Sequence, residues 1–161
     1  MYWTEKILTW ESLPAWRLRQ RAAGKKIVVT NGCFDLLHVG HVAGLEAARS
    51  LGDALLVGVN SDAAVRELKG PDRPINAEAD RATLLAALQS VDAVCVFAER
   101  TAARFLAAAQ PDIYVKGGDY TLETLNQEER RIVEAAGGTI AFLALVPGKS
   151  TTAILKKIAQ L

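Results

Sequence analysis

Both histidines of this 161-residue chain lie at the start of one predicted helix. His38 and His41 stand three positions apart, which places their side chains on the same face of a helix. The first turn of a helix carries free N–H groups and the positive end of the helix dipole, so it attracts phosphate. An imidazole titrates near neutral pH and can hydrogen-bond a phosphate oxygen in either form. The pair is therefore a candidate site for binding a phosphate group.

A second group of candidate phosphate ligands stands near the end of the sequence. Ser150, Thr151 and Thr152 come directly before an apolar helical pattern, so they offer hydroxyl groups beside the free N–H groups of a helix start. The alternative is simple N-capping, which needs only one of the three hydroxyls. The triplet Gly148-Lys149-Ser150 is not a P-loop, because the first glycine of that motif would fall at Leu143, inside a predicted strand.

Two basic side chains, Lys69 and Arg73, form a third candidate group. They lie in a polar segment, residues 66–74, whose glycine and two prolines predict a loop without regular structure. Arginine binds phosphate oxygens in pairs and lysine binds them as a point charge. The pair could therefore bind a substrate phosphate from a loop above the site, and an ordinary charged loop is the alternative.

Apolar segments alternate with helical patterns along the chain. Five of them predict strands, at residues 27–30, 54–59, 93–97, 112–115 and 139–145. Because short connections lead through helices from one strand to the next, the pattern predicts a parallel sheet with helices on both faces. The fold class is therefore α/β, a three-layer Rossmann-like sandwich, and we expect the strand order 3-2-1-4-5. Ligands of such sheets bind at the carboxyl ends of the strands, where the strand order reverses.

The composition is typical of one globular cytoplasmic domain. Half of the residues are hydrophobic, 23% are charged and the net charge is +1, which argues against nucleic acid as the main partner. No apolar run is long enough to span a bilayer, and no signal peptide is predicted. The two cysteines predict reduced thiols, and with two histidines they are too few for a structural zinc site.

We expect a single domain over residues 1–161, made of an N-terminal helical arm (1–24) and a Rossmann-like core (25–161). The arm holds all three tryptophans, Trp3, Trp10 and Trp16, and a basic helical pattern at residues 15–23. We expect the tryptophans to pin the arm onto the domain or onto a second subunit. A homodimer is therefore predicted.

The run Asn31-Gly32-Cys33-Phe34-Asp35-x-x-His38-x-Gly40-His41 resembles the HxGH signature of the nucleotidyltransferase superfamily. The whole run is far more specific than a bare H-x-G-H. Further similarity lies at residues 60–62, 68–70 with 73–74, 115–120 and 150–152, and the resemblance extends from about Lys25 to Ile158. These segments together are most similar to the sugar-phosphate adenylyltransferases of ADP-heptose synthesis.

The resemblance implies an enzyme that transfers AMP from ATP to D-glycero-β-D-manno-heptose 1-phosphate and releases pyrophosphate, for lipopolysaccharide core biosynthesis. A cytidylyltransferase for a small phosphate ester such as glycerol 3-phosphate is the alternative within the superfamily. That subclass usually carries Arg-Thr-Glu-Gly-Ile before Ser-Thr-Thr, whereas this chain has Leu145-Val146-Pro147-Gly148-Lys149. The missing arginine counts against it. A non-catalytic nucleotide sensor on the same fold is a further alternative, although a sensor would not need all of these polar groups together.

The resemblance also implies roles for individual residues. The catalytic groups would be His38, His41, Lys69 and Lys116. Lys69 and Arg73 would hold the phosphate of the acceptor. The nucleotide would be bound by Thr30, Asn31, Gly32, Cys33, Phe34, His38, His41, Gly118, Asp119, Ser150, Thr151 and Thr152.

Mg²⁺ is expected as a cofactor that accompanies ATP, because it binds substrate phosphates and keeps few protein ligands. No residue is assigned as a metal ligand. Asp35 could contact a metal-bound water or could act as a structural cap on the turn, and we prefer the cap.

Overall fold

A parallel sheet of six strands forms the centre of the fold, which is described for residues 2–118, 120–144 and 146–161 of a computed structural model. The strands are β1 (Ile7–Leu8), β2 (Ile27–Gly32), β3 (Ala54–Asn60), β4 (Ala93–Phe97), β5 (Ile113–Gly117) and β6 (Thr139–Leu143). The helices are α1 (Leu13–Ala22), α2 (Val39–Arg49), α3 (Asp62–Lys69), α4 (Glu78–Ala86), α5 (Ala103–Ala109), α6 (Gln127–Ala135) and α7 (Thr151–Ile158). A short 3-10 helix, Trp3–Lys6, precedes β1.

The strand order is β1-β4-β3-β2-β5-β6, and every neighbouring pair is parallel. The five predicted strands therefore occur in the predicted order, and the Rossmann-like α/β class is confirmed. The prediction of five strands was wrong by one, because β1 adds a sixth strand beside β4. Its two residues pair Ile7 with Val94 and Leu8 with Cys95, and a pattern this short has no detectable period.

Each face of the sheet carries its own apolar core, because successive strand residues point to opposite faces. On one face, strand residues such as Val28 and Val57 pack with Leu45 of α2 and Leu85 of α4. The opposite face buries a second set of strand and helix side chains. These include Val29, Leu56, Tyr114, Trp16 of α1, Phe105 of α5 and Val133 of α6. We call the two sides the α2 face and the α6 face.

The N-terminal arm packs onto the domain through the α6 face. Trp16 is buried in that core, and Trp10 packs against it from a half-buried position. The guanidinium of Arg104 lies 4.7 Å above the Trp10 ring. Trp3 is 44% exposed, so the three tryptophans do not share one environment.

The segment after β3 departs from the predicted loop. Residues 66–69 belong to α3, so only the part from Gly70 onward lacks regular structure. Helix α3 forms because the Ser61 hydroxyl accepts a hydrogen bond from the Ala64 N–H at 3.2 Å and because Val65 is buried. The proline and glycine signals of residues 70–74 therefore end the helix and do not exclude it.

Helix α1 begins two residues before the helical pattern predicted at residues 15–23 and ends one residue before the end of that pattern. The N-terminal capping position of α4 is Ala77, and the side-chain amide of the preceding Asn76 donates to the Asp35 carbonyl oxygen at 3.1 Å. Strand β6 ends at Leu143, and the predicted last residue of that strand, Leu145, lies outside the described residues. None of the described helices combines the length and the apolar character needed to cross a membrane.

Candidate active site

The strand order reverses between β2 and β5. The chain leaves β2 toward β3 on one side, and from β5 it continues to β6 on the other. A cavity of about 230 Å³ opens at this point, beyond the carboxyl ends of both strands. It is lined from the sheet by Thr30, Gly32, Val115 and Gly117 and from α2 by His41 and Leu45. This is the position at which doubly wound sheets bind ligands.

Helix α2 places His41 in the lining of this cavity and His38, just before the helix, in the lining of a neighbouring cleft. His38 occupies the capping position before α2 with an extended backbone. The imidazole rings of His38 and His41 stack with their centroids 3.8 Å apart. The Nδ1 atom of each ring is buried and has no hydrogen-bond partner among the described residues. Unpartnered ring nitrogens at a helix start are suited to hydrogen-bonding an anion that enters the site.

Burial, together with the neighbouring His38, lowers the pKa of His41 from 6.5 to about 4. Burial also lowers the pKa of His38, and the positive charge of Lys149 acts in the same direction. Both rings are therefore neutral at physiological pH in the unliganded protein. A neutral imidazole still donates one N–H, and a nearby phosphate would favour the charged form.

Gly40, the glycine between the histidines, is required by close packing. A Cβ atom at Gly40 would lie 3.0 Å from the His38 ring and 3.2 Å from the Lys149 Cβ atom. A side chain here would require the His38 ring or Lys149 to shift by a few tenths of an ångström. The glycine of the motif therefore allows the histidine stack to form.

The turn after β2 presents backbone to the cavity. Phe34 has a positive φ of 47°, and its ring lies so close to Gly32 that a Cβ atom there would be 3.1 Å away. The Thr30 hydroxyl donates to the Val115 carbonyl oxygen at 3.0 Å, which ties β2 to β5 below the cavity. The predicted residues Thr30, Asn31, Gly32, Cys33, Phe34 and His41 all line this one cavity.

Asp35 fixes the loop between α3 and α4. Its carboxylate is almost fully buried and accepts hydrogen bonds from the N–H groups of Ile75 at 2.7 Å and Asn76 at 3.1 Å. It also pairs with the guanidinium of Arg73. These contacts give Asp35 a structural role, as preferred from the sequence, but it caps a loop 38 to 41 positions away and not its own turn.

The two basic residues of the predicted loop have different environments. Lys69 is the last residue of α3 and is exposed, with no ion pair to any described residue. The Arg73 side chain is 19% exposed and its charge is balanced by Asp35. Lys69 is therefore available to bind a phosphate, whereas Arg73 would first have to leave a buried partner.

Arg81 is a site residue that the sequence prediction missed. Its side chain is fully buried and donates to the Cys33 carbonyl oxygen at 2.5 Å, the Asn76 carbonyl oxygen at 3.0 Å and the Asp62 carboxylate at 2.8 Å. It thus joins the turn after β2 to the α3 start and to the α3–α4 loop. Its position four residues before Leu85 on the apolar stripe of α4 was the available signal, because a charge at a core position needs partners.

The thiols are free, as predicted from the sequence. Cys33 is half-buried beside the cavity, and burial raises the pKa of its thiol. Cys95 is buried in the sheet, where burial raises the pKa of its thiol to about 11.

Asn31 and Lys116 lie on the opposite face of the sheet from Thr30 and the histidine helix. Thr30 pairs with Val115, and both contribute to the α2 face. Because side chains alternate along a strand, Asn31 and Lys116 project toward the α6 face. There the Lys116 ammonium lies 3.1 Å from the Asn31 Oδ1 atom. The structure therefore does not bring Lys116 together with the histidines on one face.

The hydroxyl cluster at the start of α7 lies beside His38. A cleft of about 330 Å³ between α2 and α7 is lined by His38, Lys149, Ser150 and Lys157. The Ser150 hydroxyl accepts from the Ala153 N–H at 3.0 Å, and the Thr151 hydroxyl donates to the Leu36 carbonyl oxygen at 3.3 Å. Capping therefore occupies Ser150 as an acceptor only, and Thr152 is exposed.

The remaining predicted nucleotide-binding residues, Gly118 and Asp119, follow β5. Gly118 has a positive φ of 117°, and its N–H donates to the Leu143 carbonyl oxygen at 3.0 Å. Asp119, also predicted to bind the nucleotide, lies outside the described residues.

In nucleotidyltransferases with the HxGH motif, a glycine turn and a helix that starts with two histidines lie where the strand order reverses. The site described above has this arrangement. The chain belongs to the cytidylyltransferase-like family, which it matches over residues 29–156. This finding confirms the superfamily predicted from the motif.

Curated relatives cover nearly the whole chain. It is 51% identical over 153 residues to the bifunctional protein HldE of Geotalea uraniireducens, covering 95% of this chain and 31% of that protein. It is 48% identical over 156 residues to the bifunctional protein HldE of Methylobacillus flagellatus, covering 97% of this chain and 32% of that protein. The chain thus spans about a third of the length of these relatives.

A solved structure is also similar. The lipopolysaccharide core biosynthesis protein of Thermoplasma volcanium matches with a TM-score of 0.63 and 28% sequence identity. The match covers 76% of this chain and 98% of that one.

Proposed function

We propose that this chain transfers AMP from ATP to D-glycero-β-D-manno-heptose 1-phosphate, giving ADP-heptose and pyrophosphate for lipopolysaccharide core biosynthesis. The observation that carries the proposal is that the similarity extends far beyond the HxGH motif, since matches to bifunctional HldE proteins cover 95% and 97% of this chain. Relatives named bifunctional protein HldE, which are 48–52% identical to this chain, support it. The similar protein from Thermoplasma volcanium, described as acting in lipopolysaccharide core biosynthesis, agrees with this assignment.

The chemistry needs positioning and charge stabilisation more than proton transfer. A phosphate oxygen of the acceptor attacks the α-phosphorus of ATP, the bond from that phosphorus to the bridging oxygen breaks, and pyrophosphate leaves. The attacking phosphate is already an anion, so no strong base is required. His38 and His41 would donate hydrogen bonds to the triphosphate and to oxygens that gain charge in the transition state. The hydroxyls of residues 150–152 would hold the β- and γ-phosphates.

The basic residues take separate roles in this proposal. Lys69 would bind the acceptor phosphate, since it is exposed and lacks an ion pair with the described residues. Arg73 would help chiefly by fixing the α3–α4 loop through Asp35, and it would reach a phosphate only by exchanging that partner. Lys116 would neutralise substrate charge from the α6 face, at the point where the strand order reverses between β2 and β5.

Mg²⁺ would accompany the nucleotide in this reaction and supply positive charge that offsets the charge of its phosphates. In the described part of the chain, no three His, Cys, Asp or Glu side chains converge to hold a metal ion. The residues present therefore fit a metal that is held mainly by the nucleotide and by water.

We further propose a cytoplasmic homodimer. The free thiols of Cys33 and Cys95 fit a reducing compartment, and the exposed Tyr2 and Trp3 offer apolar surface on the arm. Light scattering at micromolar concentration tests the dimer, and a monomer at that concentration would contradict it.

A substrate panel with pyrophosphate detection tests the activity. ATP and CTP are each combined with D-glycero-β-D-manno-heptose 1-phosphate and with glycerol 3-phosphate, in the presence of Mg²⁺. We expect rapid pyrophosphate release only with ATP and the heptose phosphate. Release with CTP and glycerol 3-phosphate would assign the chain to the other subclass, and the His41→Ala variant is the control for contaminating enzymes.

A further inference from the structure

A group of polar side chains meets on the α6 face where β2 and β5 end. The Lys116 ammonium lies 3.5 Å from the Glu129 Oε2 atom and 3.1 Å from the Asn31 Oδ1 atom. The side chain of Lys116 is 14% exposed and that of Glu129 is 6% exposed. An ion pair so sheltered from water lies directly at the switch point of the sheet.

Two further hydrogen-bond contacts hold the Glu129 carboxylate in place. Its Oε1 atom accepts a hydrogen bond from the Ala102 N–H at 2.8 Å, and its Oε2 atom lies 2.8 Å from the Tyr114 hydroxyl. That hydroxyl is also 2.7 Å from the Asn31 Oδ1 atom and donates its single proton to one of the two acceptors. The carboxylate therefore has little freedom to move away from Lys116.

We propose that Glu129 is a positioning residue for the transfer reaction, which holds the Lys116 ammonium charged and aimed at the end of β5. The inference rests on the proposed function and extends it to a residue on α6. Glu129 lies outside every motif on which the resemblance to the nucleotidyltransferases depends. It acts on the substrate only through Lys116.

The need for Glu129 follows from the burial of Lys116. A buried ammonium is costly unless an opposite charge lies beside it. Burial lowers the pKa of Lys116, and the charge and hydrogen bond of Glu129 oppose that shift. If Glu129 were neutral, the ammonium would keep Asn31 as its hydrogen-bond acceptor and would lose its proton at lower pH.

The other groups around Lys116 cannot replace the carboxylate. The Tyr114 ring centroid on β5 lies 5.2 Å from the ammonium, and the Tyr120 ring centroid lies 5.6 Å from it. Burial and the neighbouring Glu129 raise the pKa of Tyr114, so its hydroxyl stays neutral. Asn31 from β2 is uncharged. Among the described neighbours of Lys116, Glu129 is therefore the carboxylate that balances its charge.

A Glu129→Gln variant tests the proposal, because glutamine keeps the side-chain shape and an acceptor for the Ala102 N–H. Pyrophosphate release with ATP and the heptose phosphate is measured as a function of pH. We expect the alkaline limb of kcat/KM to move down by about one pH unit or more, as for the loss of one adjacent opposite charge. A uniform loss at every pH, or no loss, would overturn the proposal.

A matched control and a double variant separate positioning from folding. Glu128→Gln removes the same charge from the preceding, exposed position of α6 and should leave the pH profile unchanged. In a Lys116→Gln background, Glu129→Gln should produce no further shift of the alkaline limb, and a further shift would contradict the coupling. Thermal unfolding of each variant verifies that it is folded.

A measurement without substrate keeps the inference independent of the proposed reaction. NMR titration of the Lys116 side chain in the intact protein reports the pKa of the ammonium directly. Glu129→Gln should lower this pKa, and an unchanged value would overturn the inference even if the enzyme is active. If the pKa falls but the substrate panel shows no heptose-dependent activity, the pair is correctly described and the proposed function fails.

Discussion

The imidazole rings of His38 and His41 stack nearly parallel, with an angle of 22° between their planes. Two charged rings at a centroid distance of 3.8 Å would repel each other strongly. The stack therefore requires at least one neutral ring, in agreement with the lowered pKa of both histidines. The histidine pair of the unliganded site is thus prepared to donate hydrogen bonds without carrying a charge of its own.

His41→Ala should lower turnover by about a hundredfold or more, corresponding to roughly 3 kcal/mol of lost transition-state stabilisation. The reason is the loss of one positioned donor at the start of α2. Steady-state pyrophosphate release checks this result, and circular dichroism verifies the fold. Glu46→Gln, an exposed change on the same helix, should retain wild-type turnover. Near wild-type turnover in His41→Ala would show that His41 is not a catalytic residue.

The stability of the unliganded protein should fall on acidification because of His41. Its pKa is about 4 when folded and near 6.5 when unfolded. Between these values the unfolded chain binds the extra proton, so the free energy of unfolding decreases as the pH falls. Above pH 6.5 the penalty is absent. Urea unfolding of the wild type and of His41→Gln at several pH values should give curves that diverge within this window, and parallel curves would contradict the burial of a neutral ring.

Lys69→Gln and Arg73→Gln should have different effects. Lys69→Gln should raise the KM for the acceptor about tenfold, the effect of losing one hydrogen bond to a charged group, with no change in thermal midpoint. Arg73→Gln should lower the thermal midpoint, because it leaves the buried Asp35 carboxylate without its cation. Kinetics at varied acceptor concentration and thermal unfolding distinguish the two. A stable Arg73→Gln protein with a selective rise in acceptor KM would instead make Arg73 a direct ligand.

Arg81→Met should destabilise the protein by about 3–5 kcal/mol, the range for removing one partner of a buried ion pair. The change leaves the carbonyl oxygens of Cys33 and Asn76 and the carboxylate of Asp62 without the donor that joins them. Denaturant unfolding measures the loss. Arg66→Met, on the exposed side of α3, is the control and should change stability by less than about 0.5 kcal/mol.

The sheet and the histidine site could be predicted because their signals are local. Apolar β-branched runs such as Ile27 to Thr30 define buried strands, and their alternation with helices predicts a parallel sheet with helices on both faces. The relation of His38 to His41 depends only on helical spacing. Both features can therefore be predicted without knowledge of any long-range contact.

The remaining parts depend on contacts that no local pattern contains. Arg81 reaches the Cys33 carbonyl oxygen across 48 positions, and Asp35 reaches the loop at Ile75 across 40. The extent of α3 depends on the Ser61 cap and the burial of Val65, and the nearby prolines and glycine only end the helix. The face on which Lys116 lies follows from its register with β2, and register is a property of the assembled sheet.

The placement of Thr30 and Lys116 on opposite sides of the sheet has a consequence for inhibitor design. A compound confined to the cavity beneath α2 makes no contact with the Lys116 side chain, however well it fills that space. An inhibitor that contacts both the histidines and the Lys116 ammonium would need a tether that passes over the end of β5 at the exposed Gly117, where the absence of a side chain leaves room for a thin linker.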